Sequence, residues 1–152
     1  MKSIITGIFL LLSVCFVQAQ TPNYYRSPEK IYLDSKDGHN GGFNWQMYKA
    51  GEAKDPAEKI SQPGYQTGDW MPAIVPGTVL NSLVHNKVYA EPYYGMNNKL
   101  DQNIIPDLAK AGRDFYTYWF RTEFDVPESY KDKIVWLQVD GINYRAEIWV
   151  NG

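Results

Sequence analysis

The sequence predicts an all-β fold, an antiparallel β-sandwich, and three observations point to it. From Phe115 to Gly152 apolar and polar residues alternate in three consecutive runs separated by turn formers. A period of two is the mark of half-buried strands in an antiparallel sheet. Aromatic residues are abundant, with 12 Tyr and 5 Trp, and these residue types favour strands. Finally, Asn151-Gly152 is the dipeptide that suits a two-residue hairpin turn, which needs a returning strand. The expectation is therefore a sandwich incomplete at its C-terminal side, the front part of a longer protein.

Each element has its own justification. Residues 1–19 read as a secretory signal: Lys2 supplies the positive start, Ile4 to Val17 is uncharged and apolar, and Val17-Gln18-Ala19 fits a cleavage site. The apolar run falls short of the ~20 residues of a membrane span. Cleavage near Ala19 implies a secreted or periplasmic product with no membrane attachment. Cys15, the only cysteine, would leave with the signal, so the mature chain forms no disulfide. Lipidation at Cys15 is the lesser reading, because Val14 is bulky where a small residue is wanted. Residues 20–30 form a flexible lead-in, and 31–152 the sandwich domain.

Ile31 to Leu33 suits a short first strand. Asp34 to Gly42 is turn chemistry throughout; its acidic residues lack the spacing and closing Glu of a calcium loop. Phe43 to Lys49 predicts a strand with Phe43, Trp45 and Met47 on one face. Ala50 to Asp69 is polar and rich in Gly and Pro, hence a surface loop. In Pro76-Gly77-Thr78, Pro fixes φ, Gly allows a sharp bend and Thr78 can cap a helix. That helix, Val79 to His85, is expected to bury Val79, Leu80, Leu83 and Val84, with Asn86 as a left-handed stop. Glu91 to Leu100 mixes turn formers with large aromatics and has no period; binding groups often sit on such loops. Ile104 to Gly112 fits a helical turn opened by Pro106 and stopped by Gly112.

Three strands follow in expectation. Phe115 to Val126 carries Tyr116, Tyr118, Phe120, Phe124 and Val126 on one face. After a turn at Pro127 to Lys133, Ile134 to Val139 places Val135, Leu137 and Val139 together. Asp140-Gly141 breaks the run, and Tyr144 to Val150 alternates again.

Composition narrows the function. The formal net charge is −2 and no basic stripe is present, which argues against nucleic acid or an anionic membrane as partner. No pair of carboxylates stands out as an acid and a base: Glu91, Asp101, Glu123 and Glu147 lie in a loop or on polar strand faces. His39 and His85 build neither a triad nor a metal site. No catalytic residue, metal ligand or cofactor site is therefore assigned to this chain.

Four motifs in register carry a resemblance. They are Trp70 with Val75-Pro76-Gly77-Thr78-Val79; Glu91-Pro92-Tyr93-Tyr94-Gly95-Met96-Asn97; Tyr118-Trp119-Phe120-Arg121; and Gly141 to Gly152 with its Tyr144, Ala146, Trp149 and closing Val150-Asn151-Gly152. Together they resemble the N-terminal domain of glycoside hydrolase family 2, closest to its β-mannosidase and exo-β-glucosaminidase branch. Glu91 stands where that family usually has Asp. The resemblance implies a jelly-roll sandwich of the galactose-binding type, packed in the parent chain against a (β/α)8 barrel that holds two catalytic glutamates. It implies a terminal β-linked sugar as ligand, and an Asn of the aromatic loop, here Asn97, at the sugar, with Tyr94 beside it. The competing role for Asn97 is to cap its own loop, and Asn98 is the neighbouring candidate. Two other classes stay open: a free-standing carbohydrate-binding module, and a sandwich in which Tyr93, Tyr94 and Asn97 only pack an interface.

Overall fold

The computed structural model describes residues 30–36, 42–99, 105–112 and 114–152. The chain divides into two units, Met1–Ile31 and Tyr32–Gly152, and the description concerns the second. The signal segment with Cys15, residues 20–29 of the lead-in, His39 and Asp101 lie outside the described residues.

The frame is a three-stranded antiparallel sheet. Strand β1 (Gln46–Lys49) runs between β2 (Met71–Pro72) and β3 (Tyr118–Arg121), so the order is β2-β1-β3. Met47 pairs with Met71 on one side and with Phe120 on the other. Alternation along β1 sends Met47 inward, where it is fully buried with Ala73 and Leu83. Trp45, Tyr116, Tyr118 and Phe120 pack against this cluster, the inward face that the alternation predicts.

Helix α2 (Val79–His85) closes the core and forms as the sequence predicts. Thr78 caps it, its side chain accepting from the Asn81 backbone N–H at 3.0 Å. The innermost residues are Ser82 and Leu83, while Val79, Leu80 and Val84 are only partly covered. The hydroxyl of Ser82 explains this orientation. It accepts from the Ile74 backbone N–H at 2.9 Å, and only a small side chain lets the helix approach that closely. Ser35 does the same from the other side, accepting from Val75 N–H at 3.0 Å. At Gly77 a Cβ would stand 2.7 Å from the Ile74 carbonyl oxygen, so the bend into α2 requires glycine. Asn86 ends the helix with φ −79° rather than in the left-handed region; Lys87 takes that conformation instead. The Asn86 side chain does the capping, donating to the Pro72 and Ser82 carbonyls, both at 2.7 Å.

Several expectations are corrected. Residues 31–33 form no strand; an isolated bridge between Ser35 and Phe43 lies nearby. The segment 50–69 is no plain loop. It contains a 3-10 turn (Ala50–Glu52) and helix α1 (Ala57–Ile60), and Ile60 is buried. Turn chemistry dominates the segment's composition, but Ile60, Tyr65 and Trp70 anchor it to the sheet. Tyr48 stacks on Trp70 with centroids 5.5 Å apart, and Tyr65 meets Trp70 edge-on at 6.1 Å. Helix α3 (Leu108–Ala111) forms as expected, followed by Gly112 at φ +86°.

The largest difference lies after β3. Residues 134–139 and 144–150 belong to no strand, and Ile134, Trp136, Tyr144 and Val150 are exposed. Alternation marks a segment able to form a half-buried strand; pairing also needs a neighbouring backbone, and these runs have none among the described residues. Strand β3 is accordingly shorter than Phe115 to Val126. The turn at 127–133 holds a 3-10 segment (Glu128–Tyr130). Asn151 and Gly152 both take positive φ, +57° and +101°, the backbone pattern of a type I′ turn.

Candidate functional site

The aromatic loop leaves the core from a fixed point. Val88 N–H bonds the Leu83 carbonyl at 2.9 Å, and Tyr89 packs against the core cluster. Beyond it the chain turns twice without a strand or helix. Tyr94 N–H donates to the Glu91 carbonyl at 3.1 Å, Asn97 N–H to the Tyr94 carbonyl at 3.3 Å, and Lys99 N–H to the Met96 carbonyl at 3.0 Å. Gly95, at φ +57°, links the two turns.

Glu91 organises this loop. Its carboxylate accepts from Tyr93 N–H at 3.3 Å, and its carbonyl also accepts from the Asn97 side-chain amide at 2.9 Å. The side chain of Asn97 thus holds its own loop, as the competing reading has it, with one of two N–H donors. Among the described residues its Oδ1 accepts no hydrogen bond, so an acceptor and a second donor remain for a ligand. Tyr93 is 92% and Tyr94 76% exposed, so neither ring is spent on the core. Asn97 is half-buried and Asn98 exposed. The structure thus brings Tyr94 and Asn97 into one short loop, with Asn97 as its anchored member.

A second polar region lies at the far end of β1 and β3, and Arg121 is its hub. Its Nε donates to the Ile60 carbonyl at 2.9 Å, and its Nη2 to the Gln62 carbonyl at 2.8 Å and to the Glu123 carboxylate. The guanidinium also lies over the Tyr65 ring, 5.6 Å from its centroid. Glu123 accepts from Gly64 N–H at 2.8 Å. Arg121, with that backbone N–H, holds the Glu123 carboxyl below its ordinary value. Asp55 is likewise held low by hydrogen bonds from Lys59, at 2.8 Å, and Tyr65, at 3.0 Å. Glu147 faces Arg145 at 3.9 Å on the surface. Glu123 and Glu147 are paired, as expected of them, but neither lies on a strand: β3 ends at Arg121 and 144–150 form none. The role of Arg121 was not legible from period alone; the only signal was an arginine at the end of an aromatic strand.

Among the described residues no three His, Cys, Asp or Glu side chains gather as metal ligands.

Residues 45–152 match the family of glycosyl hydrolase 2 galactose-binding-domain-like domains. The chain belongs to this family. Within it, this galactose-binding-like domain is 40% identical over 90 residues to a mannosylglycoprotein endo-beta-mannosidase of Lilium longiflorum, covering 59% of the chain. It is 33% identical over 109 residues to an exo-beta-D-glucosaminidase of Streptomyces avermitilis, covering 71% of the chain. An exo-beta-D-glucosaminidase of Amycolatopsis orientalis is 31% identical over 93 residues, covering 61%. These relatives lie in the mannosidase and glucosaminidase branch that the motifs indicate. The matched stretches span only 9%, 11% and 8% of those three proteins. No solved structure matches the domain.

Proposed function

We propose that this galactose-binding-like domain is an accessory, sugar-contacting part of a secreted or periplasmic retaining glycosidase. The parent enzyme would hydrolyse terminal β-O-glycosidic bonds of the mannosyl, glucosaminyl or galactosyl type. Its two catalytic glutamates would lie on a separate barrel domain, and the aromatic loop would form one wall of the sugar pocket. The single observation that carries this reading is the state of that loop. It is hydrogen-bonded through Glu91 and Asn97, yet the Tyr94 ring is exposed and the Asn97 Oδ1 accepts no hydrogen bond among the described residues. A rigid loop holding unspent polar and aromatic groups is pre-organised for a ligand. The relatives' names support a glycosidase; they include endo- and exo-acting enzymes, and the exo mode is part of the proposal.

Asn97→Ala in the full-length enzyme tests it, with aryl β-mannoside and β-glucosaminide as substrates. Loss of one sugar hydrogen bond should lower kcat/KM about tenfold, ~1.4 kcal/mol of transition-state binding. The melting temperature should move little, because the loop keeps its backbone turns. Unchanged kinetics with a lowered melting temperature would make Asn97 a loop cap only.

A further inference from the structure

Asn44, Gln46, Gly64, Tyr65, Gln66, Thr67, Arg121 and Glu123 line a shallow cleft of about 220 Å³. It shares no residue with the aromatic loop, and lies where β1 begins and β3 ends, against the segment following α1. We propose that this cleft is a second saccharide-binding site, taking a single neutral sugar ring. The inference goes beyond the aromatic-loop reading and does not depend on it.

The chemistry of the lining selects the ligand class. An anion finds no free cation there: the Arg121 guanidinium is bound to two carbonyls and neutralised by Glu123. A cation meets a Glu123 carboxylate whose charge Arg121 already balances; Arg121 and Gly64 N–H both bind its Oε1, which leaves Oε2 as an acceptor. An apolar ligand would strip water from three carboxamides, which costs free energy without a partner. The ion pair is neutral as a whole, and the hydrogen-bonding groups that remain are mixed in sense. The Gln46 Oε1 accepts from the Thr67 hydroxyl, which leaves its NH₂ as donor. The Gln66 NH₂ donates to the Gly64 carbonyl at 2.9 Å, which leaves its Oε1 as acceptor. The exposed Asn44 side chain contributes both a donor and an acceptor. Adjacent hydroxyls on a pyranose each donate and accept, so alternating amide donors and acceptors suit them.

The geometry supports the same reading. Two of the three carboxamides are tied by one end, so their free ends are oriented before a ligand arrives. Gly64, at φ +76°, has nothing within 4 Å of where a Cβ would stand, so the floor beside it is open. The cleft is smaller than the ~300 Å³ lower end of drug-sized pockets and suits one ring rather than a chain.

Titration of the full-length parent protein, isotope-labelled in this domain, with D-mannose and with D-galactose, followed by amide NMR shifts, tests the site. The expected result is a saturable shift at 44, 46 and 64–67, with a Kd in the millimolar range. Asn44→Ala and Gln66→Ala should each weaken that binding about tenfold. Gln66 is exposed and Asn44 offers only its side chain, so neither substitution removes a core contact. Shifts confined to 91–98, or binding unaffected by both cleft variants, would overturn the proposal. Absence of any saturable shift in a chain that retains its folded spectrum would overturn it too.

Discussion

At the scale of the residue, Ser82 shows how one hydroxyl orients a helix. It is fully buried, yet it is not spare polarity in the core, because it satisfies the Ile74 N–H where the chain passes beneath α2. Ser82→Ala keeps the shape and removes the acceptor. An unsatisfied buried N–H costs about 1–3 kcal/mol, so urea unfolding should show a loss of that size. A neutral result would mean that water reaches Ile74. Asn97 and Glu91 act in the same manner in the aromatic loop, where side chains stand in for the missing sheet ladder. The loop and its candidate residues were legible in the sequence, since no period fits Glu91 to Leu100 and the motif marks Asn97. That Asn97 caps its own loop was one of the two readings of the sequence; that its partner is the Glu91 carbonyl was not legible, because a six-residue closure depends on the turns between them.

At the scale of the element, helices α2 and α3 follow their local signals, whereas α1 and the strands expected after β3 do not. Helix α2 starts at Thr78 because the Thr side chain satisfies an orphan N–H of the first turn. Thr78→Ala should therefore cost about 1 kcal/mol, and Thr78→Ser should recover most of it, as read by thermal melting. Equal stability of the two variants would show that tertiary packing alone sets the helix start. Helix α1 escaped the sequence reading because four residues carry too little period, and burial of Ile60 is what holds it. The runs at 134–139 and 144–150 alternate as cleanly as β1 does. Among the described residues they pair with no strand, and their side chains are exposed. A helix satisfies its own hydrogen bonds, whereas a strand takes them from another segment.

At the scale of the whole molecule, one network joins the outer segment to the sheet. Lys59 and Tyr65 both donate to Asp55, the Arg121 guanidinium lies over Tyr65, and Arg121 and Gly64 hold Glu123. Both carboxyls titrate below their ordinary values of 3.8 and 4.5. A depressed folded value means that the folded state favours the ionised form. Its contribution is present above the ordinary value and is lost as pH falls through the folded one. Acid titration should thus leave the molecule unchanged near neutrality. Below the ordinary carboxylate range, the segment around Trp70 should loosen first, as read by tryptophan fluorescence. Glu123→Gln should flatten this acid response while leaving the neutral spectrum intact. An acid transition of the same size in that variant would place the sensitivity elsewhere.

The sequence by itself determined the family, the all-β class, the inward face of β1 and β3, the capped helix after Pro76-Gly77-Thr78, and the aromatic loop. Each of these rests on signals within a few residues of one another: alternation, a cap, a turn former or a short motif. Tertiary structure alone decided which residues of α2 lie innermost, that the polar segment 50–69 folds back on the sheet, and that Arg121 gathers three partners there. It also decided that 134–150 pairs with no strand among the described residues. Those outcomes depend on contacts between distant parts of the chain, such as Arg121 with Ile60 and Gln62 or Ser82 with Ile74. Local pattern sets what a segment is able to bury or bond; only its neighbours in space set what it does bury and bond.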